Sequence, residues 1–232
     1  MSVKPKHYAE MFDRFQAPIS KVYDCGSKCA PYNGGQPVCC TTDYAIPIVE
    51  KTEWKLLKSR TDMWKPYKAV TADAKRELAD LKGSDCCAIE CKGAAHCERD
   101  NRSMACRSFP FYPYFNPEGE FVGLACYWGF EGQCWVISNI TIVEKKFVKQ
   151  FIDSHEYMFK KDDDWRGTYI DQSVSHRRVY SRRGEKFAVI GRDFKYYWVL
   201  PKSGGKMVPA TKAQILKLRK GFPGEGMELS EA

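Results

Sequence analysis

Eleven cysteines lie between residues 25 and 134 of this 232-residue chain, and they restrict its fold more than any other feature. An ordinary core uses few thiols, so this density points to crosslinks or metal ligands. The cysteines fall into two groups. The first, Cys25-x3-Cys29-x9-Cys39-Cys40, lies in a stretch rich in Gly, Pro and Asn (Ala30-Pro-Tyr-Asn-Gly-Gly-Gln-Pro). That composition reads as a loop wrapped around something, not as a helix or strand. The second group is Cys86, Cys87, Cys91, Cys97 and Cys106, with Cys126 and Cys134 further on.

The compartment decides between crosslinks and ligands. The opening residues, Met1-Ser-Val-Lys-Pro-Lys-His-Tyr-Ala-Glu, lack the apolar stretch and small-residue cleavage site of a secretory leader. No run approaches the roughly 18 apolar residues of a membrane span. The expectation is therefore a cytoplasmic protein, where thiols stay reduced and clustered cysteines bind metal rather than pair. The odd count also suits a pure disulfide framework poorly.

A zinc site or an iron–sulfur cluster needs a set of thiolates converging on one point. Adjacent cysteines rarely both turn to the same ion without strain. One of Cys39 and Cys40, and one of Cys86 and Cys87, is therefore expected to serve a second centre or simply to pack. The spacings fit neither a Cys-x2-Cys ribbon nor a bacterial ferredoxin run, so spacing alone says metal without naming it.

Helices are expected from about Thr52 to Ser59 and from a Thr71 cap to Gly83, with Ala74, Leu78 and Leu81 on one face; they separate the two cysteine groups. Phe109-Pro-Phe-Tyr-Pro-Tyr-Phe is too broken by proline for an interior strand and reads as an irregular apolar wall. Trp135 to Val143 reads as a strand. Glu144 to Lys160 reads as an amphipathic helix that presents Phe147, Phe151 and Met158. Asp162-Asp-Asp reads as a polar break before strands at about Arg178–Ser181, Lys186–Gly191 and Phe194–Leu200. A last helix runs from a Thr211 cap to Lys220, and the tail from Phe222 is expected to be loose.

The second cysteine group ends in Arg102-Ser-Met-Ala-Cys106-Arg107-Ser-Phe109-Pro110-Phe111. With Cys91-x5-Cys97 before it and the first group closing on Cys39-Cys40, residues 22–134 resemble the YkgJ-type cysteine-cluster family of zinc- or iron-chelating proteins. That family has a cysteine group ending in Cys-Cys, a helical spacer, and a Cys…Cys…Arg-Pro-x-x-Cys-Arg-x-Phe-Pro segment. A later family cysteine would fall at Cys126. The chain departs from the pattern in the nine-residue insert between Cys29 and Cys39, in Ser103 where the family has proline, and in the extra Cys86, Cys87 and Cys134. A cysteine layout similar to that of flagellin lysine-N-methylases implies, more distantly, methyl transfer to protein.

The favoured cofactor is an iron–sulfur centre, one or two clusters of the 4Fe–4S type, because eleven thiolates exceed what one zinc needs. Phe109 to Phe115, with Trp128 and Trp135, could shield such a cluster. Zinc or mononuclear iron is the alternative. Cys25, Cys29, Cys40, Cys91, Cys97 and Cys106 are the first choice as ligands. Arg102 and Arg107 either offset thiolate charge or tie the loop to backbone carbonyls. His96, beside Cys97, reads as a surface neighbour. His7, His155 and His176 show no ligand spacing.

Residues 144–232 carry a net charge of +7 of the chain's +8. His176-Arg-Arg and Arg182-Arg183, followed by aromatics from Phe187 to Trp198, could hold single-stranded nucleic acid. A basic strand face over an aromatic core that meets an acidic protein partner or assembly is the preferred reading. No P-loop, Rossmann fingerprint, nucleophile elbow or radical Cys-x3-Cys-x2-Cys motif is present.

Together these observations predict an α+β chain. An irregular cysteine-rich metal-binding core with short helices spans residues 1–143. A basic helix, a small antiparallel β-rich part and a terminal helix make up 144–232. The expected function is electron transfer or structural support through an iron–sulfur centre. A cluster-dependent modifying enzyme and a zinc-stapled interaction module are the alternatives.

Overall fold

The computed structural model describes residues 3–218 and 220–223. It is an α+β fold with two antiparallel sheets. Helix α1 (Pro5–Arg14) starts at a proline, whose missing N–H costs nothing in a first turn. A single turn, α2 (Cys25–Cys29), follows, capped by the Asp24 side chain on Gly26 N. The first cysteine group is therefore helical in part, contrary to the loop reading: Val38–Cys40 forms a further 3-10 turn. Gly34 and Gly35, both at positive φ, make the reversal between these turns.

The small sheet has the order β1 (Ile48–Glu50), β3 (Cys86–Cys91), β2 (Trp64–Pro66). Between these strands run α3 (Lys51–Arg60) and α4 (Ala72–Asp80), both at their expected places, with Thr71 capping Ala74 N. The second cysteine group thus begins as a central strand. Side chains alternate faces along it, so Cys86 and Cys87 point apart.

After α5 (Met104–Ser108) and a cis Phe109–Pro110 bond, the large sheet runs as a meander. Its strands are β4 (Phe111–Phe115), β5 (Phe121–Cys126), β6 (Phe187–Gly191), β7 (Tyr196–Leu200) and β8 (Lys206–Ala210), in that order. Most of the aromatic wall is therefore an edge strand, with a register shift between Tyr114 and Phe115. Pro113 does not break it because β4 is an edge strand, and Pro209 sits likewise on the opposite edge, β8. β4 and β5 come from one side of the expected boundary at 143/144, and β6 to β8 come from the other. One core cluster, from Tyr8 to Phe222, also crosses that boundary.

Alternation assigns the two faces of the large sheet. Phe111, Leu124, Ile190 and Trp198 meet the core shared with α1 and the cysteine region. Tyr112, Tyr114, Ala125, Val189 and Val199 pack with Tyr180 on the other face. All five residues of β4 are consequently buried, as a strand covered on both faces must be.

Two strand expectations are wrong. Trp135 to Val143 forms a short helix, α6 (Trp135–Ser138), and a 3-10 turn at Ile140–Ile142. Asn139 breaks the run, its Nδ2 donating to Trp135 O, and Trp135, Val136, Ile137 and Ile140 find burial in the core with no strand partner. β-propensity measures fit to a pleated surface, and a compact helical turn buries the same residues. Arg178–Ser181 lies inside a long helix, α8 (Asp163–Arg183). The acidic triplet does stand at a break, between α7, which ends at Phe159, and this helix, which it also starts: Asp162 accepts from Trp165 N, and Asp163 and Asp164 complement the helix dipole. Ser173, His176 and Tyr180 form its buried stripe, and Gly184 in the left-handed region ends it.

Helix α7 (Lys145–Phe159) matches the expected amphipathic helix, with Phe147, Phe151 and Met158 buried. The last helix, α9 (Lys212–Leu216), carries the Thr211–Gln214 capping box but is shorter than expected. Phe222 is 3% exposed and lies edge-on to Tyr32, so the loose tail does not begin there; residues 224–232 lie outside the described residues.

Candidate metal centre

The leading thiols are carried by α2, the Val38–Cys40 turn, the end of β3, the loop after it and α5. α2 presents Cys25 and Cys29 one turn apart. Cys39 and Cys40 sit on the following 3-10 turn, with Sγ atoms 3.8 Å apart. This adjacent pair does come together, unlike Cys86 and Cys87, which strand alternation sends to opposite faces. Cys91 ends β3, and Gly93 N donates to its Sγ at 3.4 Å. Cys97 is exposed on the loop that leads to α5, and Cys106 lies on α5, whose N-cap Ser103 accepts from Cys106 N.

Electrostatics ties these positions together. Cys40 raises the thiol pKa of Cys25, Cys29, Cys39, Cys91, Cys97 and Cys106. Burial is the main cause for Cys106, pushed up to about 12, and for Cys25, pushed up to about 11. Cys40 alone is lowered, by the Cys39 hydrogen bond and by the positive charge of Arg102. Buried cysteine is held as the neutral thiol, and a metal that displaces the proton recovers that cost.

The remaining cysteines stand in other company. Cys134 is fully buried and raised by burial, with Cys25, Cys126 and Cys29 adding to it. Cys126, half-buried at the end of β5, is pushed up by desolvation and then by Glu131. Cys86 is raised by burial and then by Glu50 and Asp85, and Cys87 by burial and then by Cys86 and Glu53.

The two arginines differ. Arg102 donates from Nε to Arg99 O, and its charge acts on Cys40, Cys97 and Cys106. Arg107 is 3% exposed and turns to backbone carbonyls: Nε to Arg102 O at 2.9 Å, Nη1 to Phe15 O at 2.7 Å and Nη2 to Asp100 O at 2.6 Å. Its guanidinium also covers the Phe12 ring, 4.6 Å from the centroid. This geometry ties the cysteine loop to the end of α1. His96 is exposed. His155 stacks on Phe151 and Trp165, and His176 meets the Tyr112 hydroxyl at 2.6 Å; both are buried, at core positions.

The donor set is chemically suited to a soft metal or an iron–sulfur cluster, since thiolate sulfur is what either takes. The spacing is looser than a finished site. Among the described residues, no three His, Cys, Asp or Glu side chains converge closely enough to hold an ion.

A cavity of about 1220 Å³ borders the thiol region, with Cys39, Cys86 and Cys106 in its wall. Glu53, 3% exposed, lies there and accepts from Met104 N at 2.6 Å; burial pushes its carboxyl up to about 8. Sequence reasoning missed Glu53 and Ser108, a second buried polar residue of the wall. Nothing in Lys51-Thr-Glu-Trp-Lys marks a glutamate for burial, because its neighbours are those of a solvated helix.

Comparisons with known protein families, with curated proteins and with solved structures find no match to this chain.

Proposed function

We propose that this chain is a metal-binding protein whose centre is held by thiolates drawn from Cys25, Cys29, Cys39, Cys40, Cys91, Cys97 and Cys106. The observation that carries the reading is the Cys39–Cys40 pair, with Sγ atoms 3.8 Å apart; charge on Cys40 acts, as a smaller contribution than burial, on thiols of both sequence groups. The layout shared with YkgJ-type proteins supports the same reading. Iron–sulfur is the favoured occupant, of the 4Fe–4S type, with zinc or mononuclear iron second. Arg102 would offset part of the thiolate charge. The centre would serve electron transfer or structural support in a reducing compartment, the cytoplasm. The basic C-terminal part would meet an acidic protein partner in preference to nucleic acid. The cavity against Cys39 and Cys106 favours, as a second reading, an enzyme that works on a ligand beside the centre.

Anaerobic purification with iron and sulfide reconstitution tests this. The expected product is brown, with iron and acid-labile sulfide in matching amounts. Cys40→Ser should lose most of the bound iron, whereas Cys87→Ser should retain it. A colourless protein holding stoichiometric zinc would transfer the proposal to a zinc staple, and a chain that retains neither metal would end it.

A further inference from the structure

The same cavity has a charge opposite to that of the molecule around it. Five carboxylates line it (Glu50, Asp85, Asp162, Asp163 and Asp164), beside the protonated Glu53 and against two lysines, in a protein of formal net charge +8. Both lysines are engaged elsewhere. Lys51 Nζ donates to Ser84 O at 2.6 Å, and Lys161 Nζ sits over the Tyr157 ring, 4.5 Å from its centroid. Burial is the main cause that pushes the Glu50 carboxyl up; a hydrogen bond from Tyr8 acts against it, and the like charges of Asp162 and Asp85 add to it.

A second, independent observation comes from the wall. Ser108 is 6% exposed and lines the cavity, and its Oγ has no hydrogen-bond partner. A buried hydroxyl left in this state is costly, and a polar group on a ligand would relieve it. Tyr127, Phe130, Trp165 and Tyr169 supply an aromatic side to the same space. Carboxylates spaced around an aromatic wall suit a diffuse organic cation rather than a hard metal ion, which needs oxygens closing on one point. No three carboxylates among the described residues do so.

We propose that this cavity binds an organic ammonium, with its charge against Glu50 and the Asp162–Asp164 corner, its apolar body on the aromatic wall, and its polar substituent toward Ser108. The proposal does not depend on the metal reading, because only Cys39 and Cys106 are shared between the two. Titration calorimetry on the full chain, as purified anaerobically, compares 2-phenylethylamine with its neutral isostere 2-phenylethanol and with the anion phenylacetate. The amine should bind about tenfold or more tighter than the alcohol, and phenylacetate should not bind, as expected where one charge meets buried partners of opposite sign. Glu50→Gln should remove most of the amine's advantage and leave the alcohol unchanged. Should Glu50→Gln fail to fold, the double variant Asp163→Asn/Asp164→Asn, on the exposed rim, should weaken the amine selectively. Equal binding of amine and alcohol, preference for phenylacetate, no amine binding by the folded chain, or indifference to these substitutions would each overturn the proposal. Loss of iron binding alone would leave it intact.

Discussion

Replacing Arg107 by alanine removes the strap between the cysteine loop and α1. Three short donated bonds are lost, to the carbonyls of Arg102, Phe15 and Asp100, with a longer one to Phe12 O at 3.5 Å. Each bond from a charged donor contributes about 1.5–3 kcal/mol, and the Phe15 carbonyl is left buried. The guanidinium itself pays for desolvation, which also lowers its pKa to about 10. Offsetting that cost leaves a net destabilisation of about 4 kcal/mol, in the range seen when one side of a buried charged contact is removed. That is a large share of the 5–15 kcal/mol that holds a typical domain. Arg107→Lys keeps the charge but not the fork, so it should recover about a third of the loss. Urea unfolding should report both changes as a fall in midpoint at constant slope. A loss below about 1 kcal/mol for Arg107→Ala, the scale of an ordinary surface change, would refute the strap. So would lost iron retention at an unchanged midpoint, which would assign the guanidinium to the thiolates.

Two further perturbations test the core. Glu53 is held at about 8 against an ordinary 4.5, so the folded chain keeps a proton that the unfolded chain releases. The wild type should therefore lose stability as pH rises from about 4.5 to 8, and Glu53→Gln should flatten that part of the profile, by at most about 5 kcal/mol; parallel urea midpoints for the two proteins from pH 5 to 9 would rule this out. Gly123 lies where a Cβ would stand 2.1 Å from Ile190 O in the β5–β6 ladder, so Gly123→Ala should cost about 3 kcal/mol or open the sheet. A thermal midpoint unchanged by Gly123→Ala would contradict that packing.

The sequence determined what local physics controls. Thr71 and Thr211 marked helix starts because a hydroxyl cap acts within its own turn. The spacing of Phe147, Phe151 and Met158 defined α7 because burial of one face needs only helical periodicity. The cysteine groups, the Cys106-Arg107-Ser-Phe-Pro segment and the basic C-terminal part were all legible as well. Tertiary structure decided what depends on distant partners. Asp162-Asp-Asp reads as a break and stands at one, between α7 and α8, but Arg178–Ser181 is helix rather than strand, because α8 is held by burial of His176 and Tyr180 rather than by its own weak pattern. Trp135 to Val143 had the residues of a strand but no neighbour to pair with, so it folded into turns inside the core. Pro113 was compatible with a strand only because β4 lies at the edge, and strand order is not written in any short stretch of sequence. The same holds for the site. Sequence supplied two sets of thiols. Only the fold turned Cys39 and Cys40 together, sent Cys86 and Cys87 apart, committed Arg107 to backbone carbonyls, and enclosed Glu53 and Ser108 in an acidic cavity. The bond from Arg107 to Phe15 and the burial of Glu53 against Met104 are contacts between residues far apart in the chain, set by packing rather than by local propensity.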